Sequence, residues 1–96
     1  MIDLLLIAHL IAQQPSFSQS QKEEIQRLTD RQKSNNPTYP YNTTKSEIDS
    51  ILRSSGEMVD SSGGISHWQY VDGNGKKIEC DFASNDKLLR WSSTGF

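Results

Sequence analysis

The sequence predicts an α+β fold, with one or two short helices packed on one face of a three- to four-stranded antiparallel sheet. Three observations predict it. Ile48, Ile51 and Leu52 form a one-sided apolar stripe at helical spacing, and the capping box Thr44-Lys45-Ser46-Glu47 opens it. After Gly56 the hydrophobic period changes to two, the period of a strand with one covered face. Asp72-Gly73-Asn74-Gly75 and Asn85-Asp86 then cut that second half into strand-length pieces with turn chemistry.

A chain of 96 residues has room for one domain. Apolar residues make up 33% and mean hydropathy is −0.67, so the core is thin. A net charge of −2 supplies no basic field for nucleic acid. Cys80 is the only cysteine, which excludes an internal disulfide and a cysteine-based structural zinc site. A small buried apolar side chain is the simplest role for it.

The elements follow in order. Leu4 to Ala12 is an apolar run of nine residues, far short of the roughly 20 that span a bilayer as a helix. It reads either as a secretory signal ending near Ala12 or as a helix packing on the domain or on a partner. The first implies a secreted or periplasmic protein, the second a cytoplasmic or complex-bound one. Membrane contact is expected only if the segment is retained. The polar stretch 13–20 reads as a tether, so residues 1–19 are taken as leader and tether and 20–96 as a single α+β domain. A first helix is expected from Ser20 to Lys33, with Ser20 as N-cap, Glu23 completing the box, and a narrow stripe of Ile25 and Leu28. Pro37 and Pro40 end it, and Tyr39 and Tyr41 are placed to pin the linker. The second helix starts after Thr44, with Gly56 as its left-handed C-terminal cap.

Strands are expected at 65–71, 76–83 and 87–92, with a short edge strand at 57–59 and a loop at 60–64. A two-residue turn at Asn85-Asp86 pairs Phe82 with Leu89 and Cys80 with Trp91. A three-residue loop, Asp72 to Asn74, pairs Trp68 with Ile78 and Ser66 with Cys80. The inner face is then Trp68, Tyr70, Ile78, Cys80, Phe82, Leu89 and Trp91. The outer face carries His67, Gln69, Val71, Lys77, Glu79, Asp81, Leu88 and Arg90.

From about Thr43 onward the chain resembles the SmpA/OmlA and β-lactamase-inhibitor-like families. The likeness lies in the helix Thr44-Lys45-Ser46-Glu47-Ile48-Asp49-Ser50-Ile51-Leu52 and the step Gly56-Glu57-Met58-Val59. It continues in Trp68-Gln69-Tyr70, in Asp72-Gly73-Asn74-Gly75 with Ile78 and Phe82, in Asn85-Asp86-Lys87-Leu88, and in the closing Trp91 to Phe96. The resemblance implies helices on one face of an antiparallel sheet. It also implies non-catalytic work, either inhibiting an enzyme through a sheet face or scaffolding outer-membrane assembly.

The residues themselves hold little enzymatic chemistry. His67 with Glu79 or Asp81 has the makings of a metal or acid–base pair, but these residue types also compose an ordinary solvated sheet face. Ser61-Ser62-Gly63-Gly64 lacks the Lys-Ser/Thr of a phosphate loop. No nucleophile–base pair converges, and no cofactor motif is present. The expected function is therefore a non-catalytic module that binds another protein through the sheet-face residues His67, Gln69, Glu79, Asp81, Leu88 and Arg90 and through the loops Asp60 to Gly64 and Asp72 to Gly75. The alternative is a structural subunit anchored by the Leu4–Ala12 segment.

Overall fold

A computed structural model describes residues 16–96; the apolar run Leu4–Ala12 lies outside them. Two helices, α1 (Gln19–Arg31) and α2 (Lys45–Leu52), precede four strands: β1 (Glu57–Ser62), β2 (Ile65–Val71), β3 (Lys77–Phe82) and β4 (Leu88–Thr94). The strands form an antiparallel meander in the order β1-β2-β3-β4. Both helices contribute to a core on one face of that sheet, where Phe17, Ile25, Ile48 and Leu52 meet Tyr70, Ile78, Cys80, Phe82 and Leu88.

Helix α1 starts two residues earlier than Ser20. Ser18 is the N-cap: its hydroxyl accepts from the Gln21 N–H at 3.2 Å, and its own N–H donates to Gln21 Oε1 at 2.7 Å. The reason is Phe17, which lies in the stretch read as tether yet is 2% exposed and sits in the core. Two long-range bonds hold its backbone. Its N–H donates to Asp72 Oδ2 at 2.9 Å, and its carbonyl accepts from Lys76 Nζ at 3.0 Å. With the chain seated there, the next residue caps the helix. The buried stripe of α1 is Ile25 and Thr29, while Leu28 is half-buried. Thr29 can be buried because its hydroxyl donates back to the Ile25 carbonyl at 2.9 Å.

Helix α2 opens on the expected capping box of Thr44 and Glu47. Ile48 and Leu52 are fully buried and Ile51 partly so. The left-handed cap falls on Arg53 (φ 53°), not on Gly56. Gly56 also has positive φ, but a further constraint keeps it small. A β-carbon there would stand 2.7 Å from the Tyr70 ring. A polar seam docks α2 on the sheet. The Tyr70 hydroxyl donates to Asp49 at 2.6 Å, Lys45 Nζ donates to the same carboxylate at 2.9 Å, and the ammonium lies 4.0 Å from the centre of the Trp68 ring.

Strand β1 runs through the expected loop to Ser62. The turn into β2 is only Gly63-Gly64, both at positive φ, as a two-residue hairpin of the primed type requires. Between β2 and β3 the register is Trp68 opposite Cys80 and Tyr70 opposite Ile78, two residues from the expected pairing. The Asp72 carboxylate explains the longer turn, because its Oδ1 accepts the N–H groups of Asn74 and Lys76 at 2.9 and 2.8 Å. A shift of two residues leaves every side chain on its expected face. Between β3 and β4, Cys80 faces Trp91 as expected, but Phe82 faces Leu88 rather than Leu89. Ala83 bonds Lys87 across a three-residue loop with Asp86 at φ 63°, and a bulge at Leu89 restores the register. Leu88, assigned to the outer face and to partner binding, is therefore 0% exposed and part of the core. The same turn clasps the start of α2: Leu88 N–H donates to Thr43 O at 2.7 Å and Lys45 N–H to Asp86 O at 3.0 Å.

Two tests follow from this packing. Leu52→Ala should cost about 2–5 kcal/mol, and Ile51→Ala distinctly less, because only the first empties a closed site. Denaturant melts of the two variants check the order. Gly56→Ala should destabilise more than Gly64→Ala, since both have positive φ but only Gly56 faces an aromatic ring. Equal losses would show that the Tyr70 ring does not press on Gly56.

Candidate protein-binding face

Strand alternation puts the polar members of β2, β3 and β4 on the face opposite the helices. His67 is opposite Asp81, which is opposite Arg90. Gln69, Glu79 and Ser92 form the next row, and Val71, Lys77 and Thr94 the third. Strand β1 adds Asp60 beside His67 and Glu57 beside Gln69. Of the six residues expected to bind a partner, this face brings together His67, Gln69, Glu79, Asp81 and Arg90. Leu88 is excluded by the bulge.

Four of these side chains, with Lys77, form one linked chain of charges. Arg90 Nε bonds Asp81 Oδ2, and the other Asp81 oxygen bonds His67 Nδ1. His67 Nε2 lies 3.2 Å from Glu79 Oε2, and Lys77 Nζ lies 2.8 Å from Glu79 Oε1. Asp81 is the hub, its side chain 12% exposed between two partners, whereas the Arg90 side chain is 73% exposed. Desolvation alone would raise the Asp81 carboxyl, but the hydrogen bonds and charges of Arg90 and His67 outweigh it and hold the group below its usual range. Lys77 does most to hold Glu79 below its ordinary value, with His67 adding to it. The hydrogen bond to Asp81 raises His67. Desolvation works against that rise, and the charges of Asp81 and Glu79 add to it.

The arrangement presents linked charges on one side of the sheet. Asp81 and Glu79 meet opposite nitrogens of one imidazole, so the three groups do not converge on a common point. Among the described residues no cluster of three or more His, Cys, Asp or Glu side chains is disposed to hold a metal ion. Cys80 points to the other face, where burial first of all pushes its thiol up to about 12, far from a reactive thiolate. Apolar surface accompanies the charges: Val71 is 48% exposed on this face, and Met58, Val59 and Ile65 are exposed along the β1–β2 hairpin. Lys77 and Glu57 lie outside the six residues expected to bind, and Asp60, expected to contact a partner from a loop, stands in strand β1 instead. The alternation of β3 already puts Lys77 beside Glu79, but the extension of β1 past residue 59 carries no comparable signal.

Asp81→Asn should destabilise the domain by about 1–3 kcal/mol, because it weakens two linked partners at a nearly closed site. Arg90→Ala should cost no more than about 1 kcal/mol, as an exposed pair does. The sign with pH follows from the lowered Asp81 value: its contribution is full above the unfolded carboxyl pKa and is lost as pH falls through the folded one. Thermal melts from pH 7 to pH 3 on wild type and Asp81→Asn check this, and the gap between them should be steady near neutrality and narrow at the acid end.

Comparison with protein-family models, with curated proteins and with solved structures found no match to this chain.

Proposed function

We propose that this chain is a non-catalytic protein-binding module that meets another protein with the outer face of its sheet. The observation that carries this is that the described helices cover only one face. The other is left open with a fixed pattern of charges around His67 and Asp81 and an exposed Val71. A mixed polar face of this kind suits a non-obligate interface, where complementary charge sets register and association rate. The resemblance of residues 43–96 to inhibitor-like and envelope-assembly modules points to the same class of work. Arg90 is the natural anchor, because its exposed guanidinium keeps donors free beyond the one given to Asp81.

A photo-crosslinking residue at Gln69, in the middle of the face, and another at Arg53, at the end of α2, separate the two sides of the domain. The partner should be captured through Gln69 and not through Arg53. Arg90→Ala should then weaken binding of that partner by about 1 kcal/mol or more while leaving the Tm within a few degrees. Capture through Arg53 alone, or wild-type affinity in both Arg90→Ala and Glu79→Ala, would exclude the sheet face as the interface.

A further inference from the structure

We infer that His67 is a proton-operated latch on the sheet: as an imidazolium it ties Asp81 to Glu79 across β2 and β3, and loss of its proton releases Glu79. The inference rests on the geometry of the ring and is independent of any partner. Nδ1 meets Asp81 Oδ1, and Nε2 lies 3.2 Å from Glu79 Oε2. Ionised carboxylates only accept hydrogen bonds. A neutral imidazole has a single N–H, so one of its nitrogens would turn a lone pair toward a carboxylate oxygen. Both carboxylates lie within ion-pairing distance of the ring, one on each nitrogen, and the two contacts are favourable together when the ring is an imidazolium.

The two arms are unequal, and that decides which one opens. Asp81 is nearly closed off and is fixed through its second oxygen by Arg90. Glu79 is about one-third exposed, and its second oxygen already lies 2.8 Å from Lys77 Nζ. Losing the His67 proton therefore costs Glu79 little, since solvent and Lys77 remain to it. The surviving N–H stays on Asp81. The charged groups on the face around the ring are Glu57 and Asp60 from β1, Lys77, Glu79 and Asp81 from β3, and Arg90 from β4. Asp60 Oδ1 accepts from the Ser61 N–H at 2.8 Å, and the carboxylates that meet the ring nitrogens are the two from β3. The shift of His67 is upward, in agreement. A raised folded-state pKa means that the latch contributes its stability fully below the ordinary histidine value of about 6.5. That stability is lost as pH rises through the folded value. In the same interval the outer face loses one positive charge next to Asp60, and Glu79 is held by Lys77 alone.

Ring-nitrogen NMR on the full chain carrying His9→Gln, which leaves one histidine, tests this directly. At pH 6 both His67 nitrogens should resonate as protonated. The titration midpoint should lie above the ordinary value, and Glu79→Gln should reduce the proton affinity by about threefold or more. The stability gap between the parent and His67→Gln should shrink as pH rises through that midpoint. Glu79 is partly exposed and outside the core, so the Glu79→Gln variant is expected to fold. A midpoint at or below the ordinary value, or one unmoved by Glu79→Gln, would overturn the latch.

Discussion

Strand β3 is the constraint on which the rest of the structure depends. Its residues alternate without exception, with Ile78, Cys80 and Phe82 to one side and Lys77, Glu79 and Asp81 to the other. A strand has one period, so burying the first set necessarily presents the second. Because β3 lies between β2 and β4, its choice is imposed on both neighbours. Tyr70 and Trp68 must join the apolar set, and His67 and Arg90 must join the charged one. The described helices then pack where the apolar set is, and the face that the described residues leave uncovered carries the linked charges.

The thin core is supplemented by polar groups that act at its edges. Asp72 holds the incoming chain at Phe17 and at the same time shapes the β2–β3 turn. Burial opposes ionisation of that carboxyl, yet three backbone N–H groups and Lys76 hold its pKa below the usual value. At the other edge Asp49 joins α2 to the sheet through Tyr70. Burial and that hydrogen bond push the Tyr70 hydroxyl well above its ordinary range, so it remains a donor to Asp49. Each device ties elements far apart in sequence, which a small apolar core needs if it is to hold a single arrangement.

How much of this was legible in the sequence depended on whether a local pattern carried the information. The Thr44 capping box, the β2 bounds and the sorting of β3 into two faces are all written in neighbouring residues, and each was found as read. So was the grouping of His67, Glu79, Asp81 and Arg90, since parity alone brings them together. The misplacements came from long-range demands. The residues around Ser20 fit a cap on their own, and nothing near them shows that Phe17 is seated in the core and moves the cap to Ser18. Leu88 and Leu89 are adjacent and equally apolar, so only the turn and the bulge decide which of them faces Phe82. The β2–β3 loop was read too short because Asp72 bonds onward to Asn74 and Lys76, a preference that residue type alone does not fix.

The central claim is that one sheet has a closed face and an open one, and Cys80 is a natural probe of it because it is the only thiol in the chain. The most direct measurement is the rate of thiol labelling in the native state, for wild-type Cys80 and for Glu79→Cys in a Cys80→Ala background. The two positions are adjacent on β3 and differ only in the face they occupy. Cys80 should label only as fast as the domain unfolds, and the cysteine at 79 at a rate near that of a free thiol. Native-state labelling of Cys80 as fast as that at position 79 would contradict the assignment of the two faces, and with it both the core and the proposed interface.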